Sequence, residues 1–218
     1  VERDRVPFLS FARLGAAPAP PAGYIIGRDG SRVGFDSVSM DAASITAELS
    51  GFGKKTIPRD KVAAVRWRSD RVVRMADLKP SAAMQYGLFK TYPYRINRSV
   101  GGGPLKLDGR EYETGLGVHS FCELTYELHE SYETFHAVIG IDDSVRPRGE
   151  VVVSVLADGK PLLKPTRLTG EDDAKTVRLD VSGAKALTIR VEFGPDGLDV
   201  SDHMNIADAK LIKPAKGS

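Results

Sequence analysis

The sequence predicts an all-β fold: an antiparallel β-sandwich of jelly-roll type, preceded by a small antiparallel β-barrel-like unit. Three observations predict it. Apolar residues recur at every second position of short segments, as with Leu187, Ile189, Val191 and Phe193. Asp-Gly pairs at Asp108-Gly109 and Asp158-Gly159 mark hairpin turns between such segments. No segment carries the long helical period of a crossover helix, which a parallel sheet would need.

Residues 1–22 read as an N-terminal arm and a stiff, Pro-rich linker, because "AAPAPPAG" offers little to bury. From residue 23 to 70, "YIIG", "SRVGFDSV", "SITAELS", "KTIP" and "KVAAVRW" are short strand candidates, the first two joined by an Asp-Gly turn at Asp29-Gly30. Ile45, Ala47 and Leu49 share one face. Strands this short and close predict a small curled barrel or half-barrel. Trp67 closes the last of them and is assigned to a core or to a contact between units. "RMADLKPSAAMQYG" is read as a turn of helix ended by Pro80. Residues 73–213 then fill a second unit. "CELTYEL" puts Leu124, Tyr126 and Leu128 on one side, and "TFHAVIGIDD" does so with Phe135, Ala137, Ile139 and Ile141. "GEVVVSVLADGKPLL" is a long hairpin, "ADAKLI" the last strand, and 214–218 a tail.

The charge balance names no partner by itself: 31 basic and 29 acidic residues leave +2. The densest basic stretch, Val65 to Arg74, spaces its arginines with apolar residues, as on the solvent side of strands. A nucleic-acid partner is therefore not expected. No run approaches the ~20 apolar residues of a membrane span, so no membrane insertion is expected. Cys122 is the only cysteine; it excludes an internal disulfide and reads as a structural thiol in a strand. The chain opens at Val1 without an initiator Met or a signal peptide, and is expected to be a fragment or a processed form.

Chemistry-bearing motifs are few. There is no P-loop, dinucleotide fingerprint or nucleophile elbow. "GGGP" at Gly101–Pro104 precedes a strand, so its amides lack a helix N-terminus and it reads as a turn. His119, His129, His136 and His203 show no short metal-ligand spacing. "GPDGLDVSD" holds Asp196, Asp199 and Asp202; with Asp208 these are candidate oxygen ligands of a structural calcium. A glycosidase would need two carboxylates across a cleft, for which Asp143 with Asp202 or Asp208 is the available pairing. Acids at strand ends more simply accept turn amides, so no catalytic residue is assigned and no enzyme is expected.

The stretch from "LKLDGREYETGLGVHSFCELTYEL" to "DGLDVSDHMNIADAKLI" resembles the NPCBM/NEW2 domain, a carbohydrate-binding module family. The resemblance covers about residues 73–213 and rests on "GLGVHS" before a strand, "FHAVIGIDDS", "ADGK" and "DHMNIADA". It implies a galactose-binding-like β-sandwich that binds terminal sugars without catalysis, with a structural calcium in related modules. The family's loop residues map to His119, Asp142, Asp143, Asp202, His203 and Asp208. The family's closing motif reads like "DHADWADA"; here Ile206 stands at its tryptophan, Asn205 at its acid and Met204 at its small residue. Ile206 cannot stack on a sugar as an aromatic ring does. Tyr92 and Tyr94 in "KTYPYRINRS" are replacement platforms, and Asn205 can donate to and accept from hydroxyls together.

The expected carbohydrate-binding residues are thus Tyr92, Tyr94, His119, Asp143, His203 and Asn205. The expected partner is a glycan bearing terminal galactose-type sugars. The parent protein is expected to be secreted or part of the cell envelope, with its signal segment absent from this chain. The alternative is a structural or protein-interaction sandwich that has lost sugar binding, with residues 23–74 as a surface for a protein partner. A glycoside hydrolase ranks below both.

Overall fold

The computed structural model describes residues 20–129 and 131–215; the predicted arm up to residue 19 and the last tail residues, 216–218, lie outside them. The chain divides into two compact units after Ser69.

In the first unit, β1 (Gly23–Gly27), β2 (Arg32–Met40), β3 (Ser44–Leu49), β4 (Gly53–Pro58) and β5 (Val62–Trp67) form one antiparallel sheet in the order β4-β3-β2-β1-β5. The predicted barrel is instead an open sheet among the described residues. A 3-10 turn at Arg59–Lys61 carries the chain from β4 to β5, which pairs with β1 and leaves β4 as the opposite edge. Ile45, Ala47 and Leu49 do share the buried face, where they meet Ile25, Phe35 and Val62. Trp67 departs from its expected core place. It is the last residue of an edge strand, 57% exposed, with its ring edge-on to Phe35 at 6.0 Å.

The second unit is an antiparallel sandwich. Its strands are β6 (Val72–Arg74), β7 (Ala82–Gln85), β8 (Arg95–Ile96), β9 (Leu105–Leu107), β10 (Arg110–Tyr112), β11 (Gly115–His119), β12 (Cys122–Glu127), β13 (Thr134–Ile141), β14 (Glu150–Ala157), β15 (Lys160–Thr169), β16 (Lys175–Asp180), β17 (Ala186–Phe193) and β18 (His203–Ile212). One sheet runs β16-β13-β18-β11-β8, with β6 also paired to β18; the other runs β15-β14-β17-β12-β7. The predicted turn of helix is a 3-10 turn at Met75–Asp77, whose Met75 is wholly buried.

The alternating residues meet between the sheets. Leu124, Tyr126, Leu128, Phe135, Ala137, Ile139, Ile141, Leu187, Ile189 and Val191 all lie in one core. Burying each larger aliphatic or aromatic side chain there contributes about 1.5–3 kcal/mol. Asp108-Gly109 and Asp158-Gly159 each place two successive residues at positive φ, as a tight two-residue hairpin turn requires. In β18 a bulge falls where the register to β13 shifts, with Asp208 at φ 49. Before it, Met204 and Ile206 point into the core; beyond it, Ala209 and Leu211 take over. Ile206 is 1% exposed, so the position of the family's tryptophan is a core position here.

The other face of β11 and β13 carries glycine. "GLG" (Gly115–Gly117) lies within a strand. A Cβ on Gly117 would sit 2.3 Å from the Arg98 carbonyl oxygen, one on Gly115 3.0 Å from Leu105 Cδ1, and one on Gly140 3.1 Å from Leu107 Cδ2. The bare backbone lets the segment 98–107 lie flat on the sheet, burying Leu105 and Leu107. Among the described residues no helix is long and apolar enough to cross a membrane.

Candidate functional site

One end of the sandwich collects the chemistry. β7 ends at Gln85, β11 at His119, β13 at Ile141 and β17 at Phe193, while β12, β14 and β18 begin at Cys122, Glu150 and His203. The loops between them share that end.

His119 and His203 are register partners on β11 and β18, with ring centroids 5.5 Å apart. The ring of Tyr92 stacks on His119 at 4.4 Å, planes 25° apart, and lies 6.1 Å from His203. His119 is buried, and its Nδ1 is 2.6 Å from the Ser120 carbonyl. His203 is half-buried, with Nδ1 enclosed and unpartnered. Gly101 arches over it, leaving its ring 3.6 Å from where a Cβ would stand. Burial, and then the neighbouring His119, hold His203 below its ordinary imidazole range, against an opposite pull from Asp142. A neutral imidazole offers one donor and one acceptor, a pattern suited to hydroxyl groups. Lys90 Nζ lies 5.2 Å from the Tyr92 ring centroid and adds a cation at the rim.

A second stacked pair stands beside the first. The ring of Tyr86 lies on Phe121, centroids 4.5 Å apart and planes 14° apart, with Phe193 at 5.9 Å. The Tyr86 and Phe121 backbones exchange N–H to carbonyl bonds of 3.3 and 3.0 Å. The loop from Tyr86 to Tyr92 is held at both feet. Gln85 Nε2 donates to the Tyr92 carbonyl at 3.1 Å, and the Leu88 N–H donates to Asp199 at 2.8 Å. Gly87 makes the fold-back possible, since a Cβ there would lie 2.1 Å from the Lys90 carbonyl oxygen. Between the two pairs, Ser120 Oγ donates to buried Asp202, which also accepts the Glu150 N–H at 3.0 Å. Burial raises the Asp202 carboxyl above its ordinary value, opposed by those two hydrogen bonds. Sequence reasoning missed the pair Tyr86–Phe121. The available signal was Phe121 itself, out of phase with the inward series Cys122, Leu124, Tyr126.

The structure thus brings Tyr92, His119 and His203 together and sends the other predicted residues elsewhere. Tyr94 packs against the core. Asp143 fastens the β9–β10 turn, accepting the N–H groups of Asp108 and Gly109 at 2.9 and 2.8 Å, with Arg146 at 3.9 Å. Asn205 is fully buried under the 98–107 segment; its Nδ2 donates to Asp142 at 2.5 Å and to the Lys106 carbonyl at 3.3 Å. The four proposed calcium ligands serve separate partners. Asp196 accepts the Leu198 N–H at 3.1 Å, Asp199 and Asp202 are engaged as described, and Asp208 pairs with Lys210 at 2.5 Å. Among the described residues no three His, Cys, Asp or Glu side chains converge as a metal-ligand set.

The acids considered for a glycosidase pair each have structural partners: Asp143 accepts two backbone amides, Asp202 a backbone amide and a hydroxyl, and Asp208 the Lys210 ammonium. Burial, and then Glu123, push the Cys122 thiol up to about 12, far from a usable thiolate.

Comparison with known proteins bears on the family and the fold. Residues 71–212 match the family model described as the NPCBM/NEW2 domain. A Renibacterium salmoninarum protein described as "Putative endo-alpha-N-acetylgalactosaminidase" is 39% identical over 90 residues, which is 41% of this chain but only 6% of that protein. The CBM51 from Clostridium perfringens GH95, in complex with methyl-galactose, superposes with a TM-score of 0.58 at 26% identity, covering 64% of this chain and 99% of that one. The M60 catalytic domain with CBM51-1 and CBM51-2 domains from Clostridium perfringens ZmpB gives a TM-score of 0.60 at 28% identity, over 84% of this chain and 20% of that one.

Proposed function

Because the chain belongs to the NPCBM/NEW2 domain family through residues 71–212, we propose that its sandwich holds the terminal, galactose-type sugar of a glycan at Tyr92 and His203. The module is a non-catalytic carbohydrate-recognition unit. The observation that carries the placement is Tyr92 stacked on His119 beside half-buried His203 at the loop end. An aromatic face suits the C–H face of a pyranose, and an imidazole suits its hydroxyls. His119 acts from behind, fixing the Tyr92 plane. The similar Clostridium perfringens module in complex with methyl-galactose supports the sugar class. One ring contact and two neutral hydrogen bonds, each worth about 1 kcal/mol net, sum to about 3 kcal/mol, a dissociation constant of roughly 5–10 mM for a single sugar. Glycans of this kind are met outside the cytoplasm, and work at the cell envelope or beyond it is part of the same proposal.

The test is a glycan array of the intact chain, with and without calcium, repeated with Tyr92→Ala. Saturable binding to galactose-terminated glycans, abolished in a folded Tyr92→Ala protein, supports the reading. A folded chain silent on the array removes it. A protein-interaction role would then stand, to which the exposed Phe52 and Trp67 of the first unit are suited.

A further inference from the structure

The stacked pair Tyr86–Phe121 is not needed to hold a terminal sugar at Tyr92 and His203, and the core does not explain it. Tyr86 remains 49% exposed although its ring lies nearly parallel to another. Leu88 at 48% and Phe89 at 93% extend an apolar surface along the same loop, and Leu198 and Val200 lie exposed on the loop that Asp199 fastens to it. Contiguous exposed apolar surface on a soluble unit marks a place where something binds. Here the rings are also fixed in position. The Tyr86–Phe121 backbone pair, Asp199 and the Gly87 fold-back hold Tyr86 in place, so little freedom is lost when a ligand covers it.

Its place identifies the occupant. The loop that ends in Tyr92 begins at Tyr86, and Ser120 alone separates His119 from Phe121. The two stacked pairs, Tyr92 on His119 and Tyr86 on Phe121, are therefore neighbours presented by the same two backbone segments. With only Ser120 between His119 and Phe121, two residues of chain bring the second pair within about 7 Å of backbone from the first, the reach of a sugar linked to one held there. An aromatic face of one ring's breadth fits the apolar face of one further pyranose. We propose that Tyr86 and Phe121 form a second subsite, which takes the sugar linked to the terminal one, so that the module reads a disaccharide rather than a single residue. This rests on the terminal sugar lying at Tyr92 and His203.

The experiment is isothermal titration of the full chain with methyl β-galactoside and with lactose, N-acetyllactosamine and galactosyl-N-acetylgalactosamine. The wild type is expected to bind at least one disaccharide about two- to tenfold more tightly than the methyl glycoside, the worth of one aromatic contact. Tyr86→Ala should erase that gain and leave methyl galactoside affinity unchanged; Tyr86→Phe should keep it. If Tyr86→Ala does not fold, Tyr86→Leu, which keeps bulk but loses the flat ring, is read in its place. Equal affinity for mono- and disaccharides overturns the subsite while leaving the terminal-sugar reading intact. An equal loss for both ligands in Tyr86→Ala also overturns it, by making Tyr86 a support of the first site. No binding of any of these sugars overturns the terminal-sugar reading, and the subsite with it. Concentration-dependent self-association in ultracentrifugation, lost in Tyr86→Ala, would assign the surface to a second copy of the chain and overturn the subsite.

Discussion

Ser120 Oγ donates to the buried carboxylate of Asp202, tying the end of β11 to the residue before β18. The bond holds the two strands that carry His119 and His203, and it lies between the two stacked aromatic pairs. Asp202→Ala leaves the Ser120 hydroxyl and the Glu150 N–H without an acceptor in a buried place. A loss of about 2–3 kcal/mol is expected in chemical denaturation at neutral pH. Asp202→Asn keeps one acceptor and should lose less. The carboxyl's folded-state value lies above 3.8, so over that window the native chain holds the proton longer than the unfolded chain does. Stability contributed by this group falls as pH rises from about 3.8 through the folded value, and Asp202→Asn should flatten that slope. A slope unchanged in the variant would count against it.

His203 predicts a pH effect of its own. Its folded-state value lies below 6.5, held there by burial and then by His119. Between the two values the unfolded chain binds the proton and the native chain does not. Stability therefore falls as pH drops from about 6.5 towards the folded value, and levels off below it. Thermal melts of His203→Gln across that range should lose this step. Galactoside affinity in the wild type should hold across that range and weaken only as pH falls through the folded value, because a protonated His203 no longer accepts from a hydroxyl.

Asp143 holds a hairpin. Asp143→Ala removes the acceptor of two backbone N–H groups at the Asp108-Gly109 turn. The expected result is about 1–2 kcal/mol of lost stability and faster amide exchange across β9 and β10. Methyl galactoside affinity should change far less than in Tyr92→Ala. A selective loss of sugar binding with unchanged exchange would make Asp143 a contact residue after all.

Ile206→Trp tests what the family's tryptophan does at this position. The side chain points into the core beside Leu116 and Ile139, its register partners. A larger ring there is expected to cost about 1–3 kcal/mol through overpacking, with no gain in galactoside affinity. A gain in affinity would mean that the residue reaches the ligand.

Much of the fold was legible because strand periodicity and Asp-Gly turns are local. The faces of 135–141 and 187–191 needed only alternation, and both hairpin turns needed only their dipeptides. The bulge at Asp208 was not legible, because an extra residue changes phase without changing composition. Nor were the strand glycines Gly115 and Gly117, since a glycine makes room for a neighbour that only the tertiary structure names. The site was partly legible. His119 and His203 were found through the resemblance, and their meeting follows from β11 pairing with β18. Tyr92 and Tyr94 could not be told apart, as nothing local says which of them the core takes. Tyr86 and Phe121 escaped because each looks like an ordinary strand-end aromatic until the two backbones pair.

The bare glycine backbone under the 98–107 segment has a consequence for how function can be lost. A methyl group on Gly117 would press against the Arg98 carbonyl and lift the chain above it, and with it Gly101 from the ring of His203. Such a lesion would remove recognition from a distance, in a protein whose every ligand-touching side chain is intact. A survey of inactive variants would then score these positions as contact residues, although their whole contribution is the volume they leave empty.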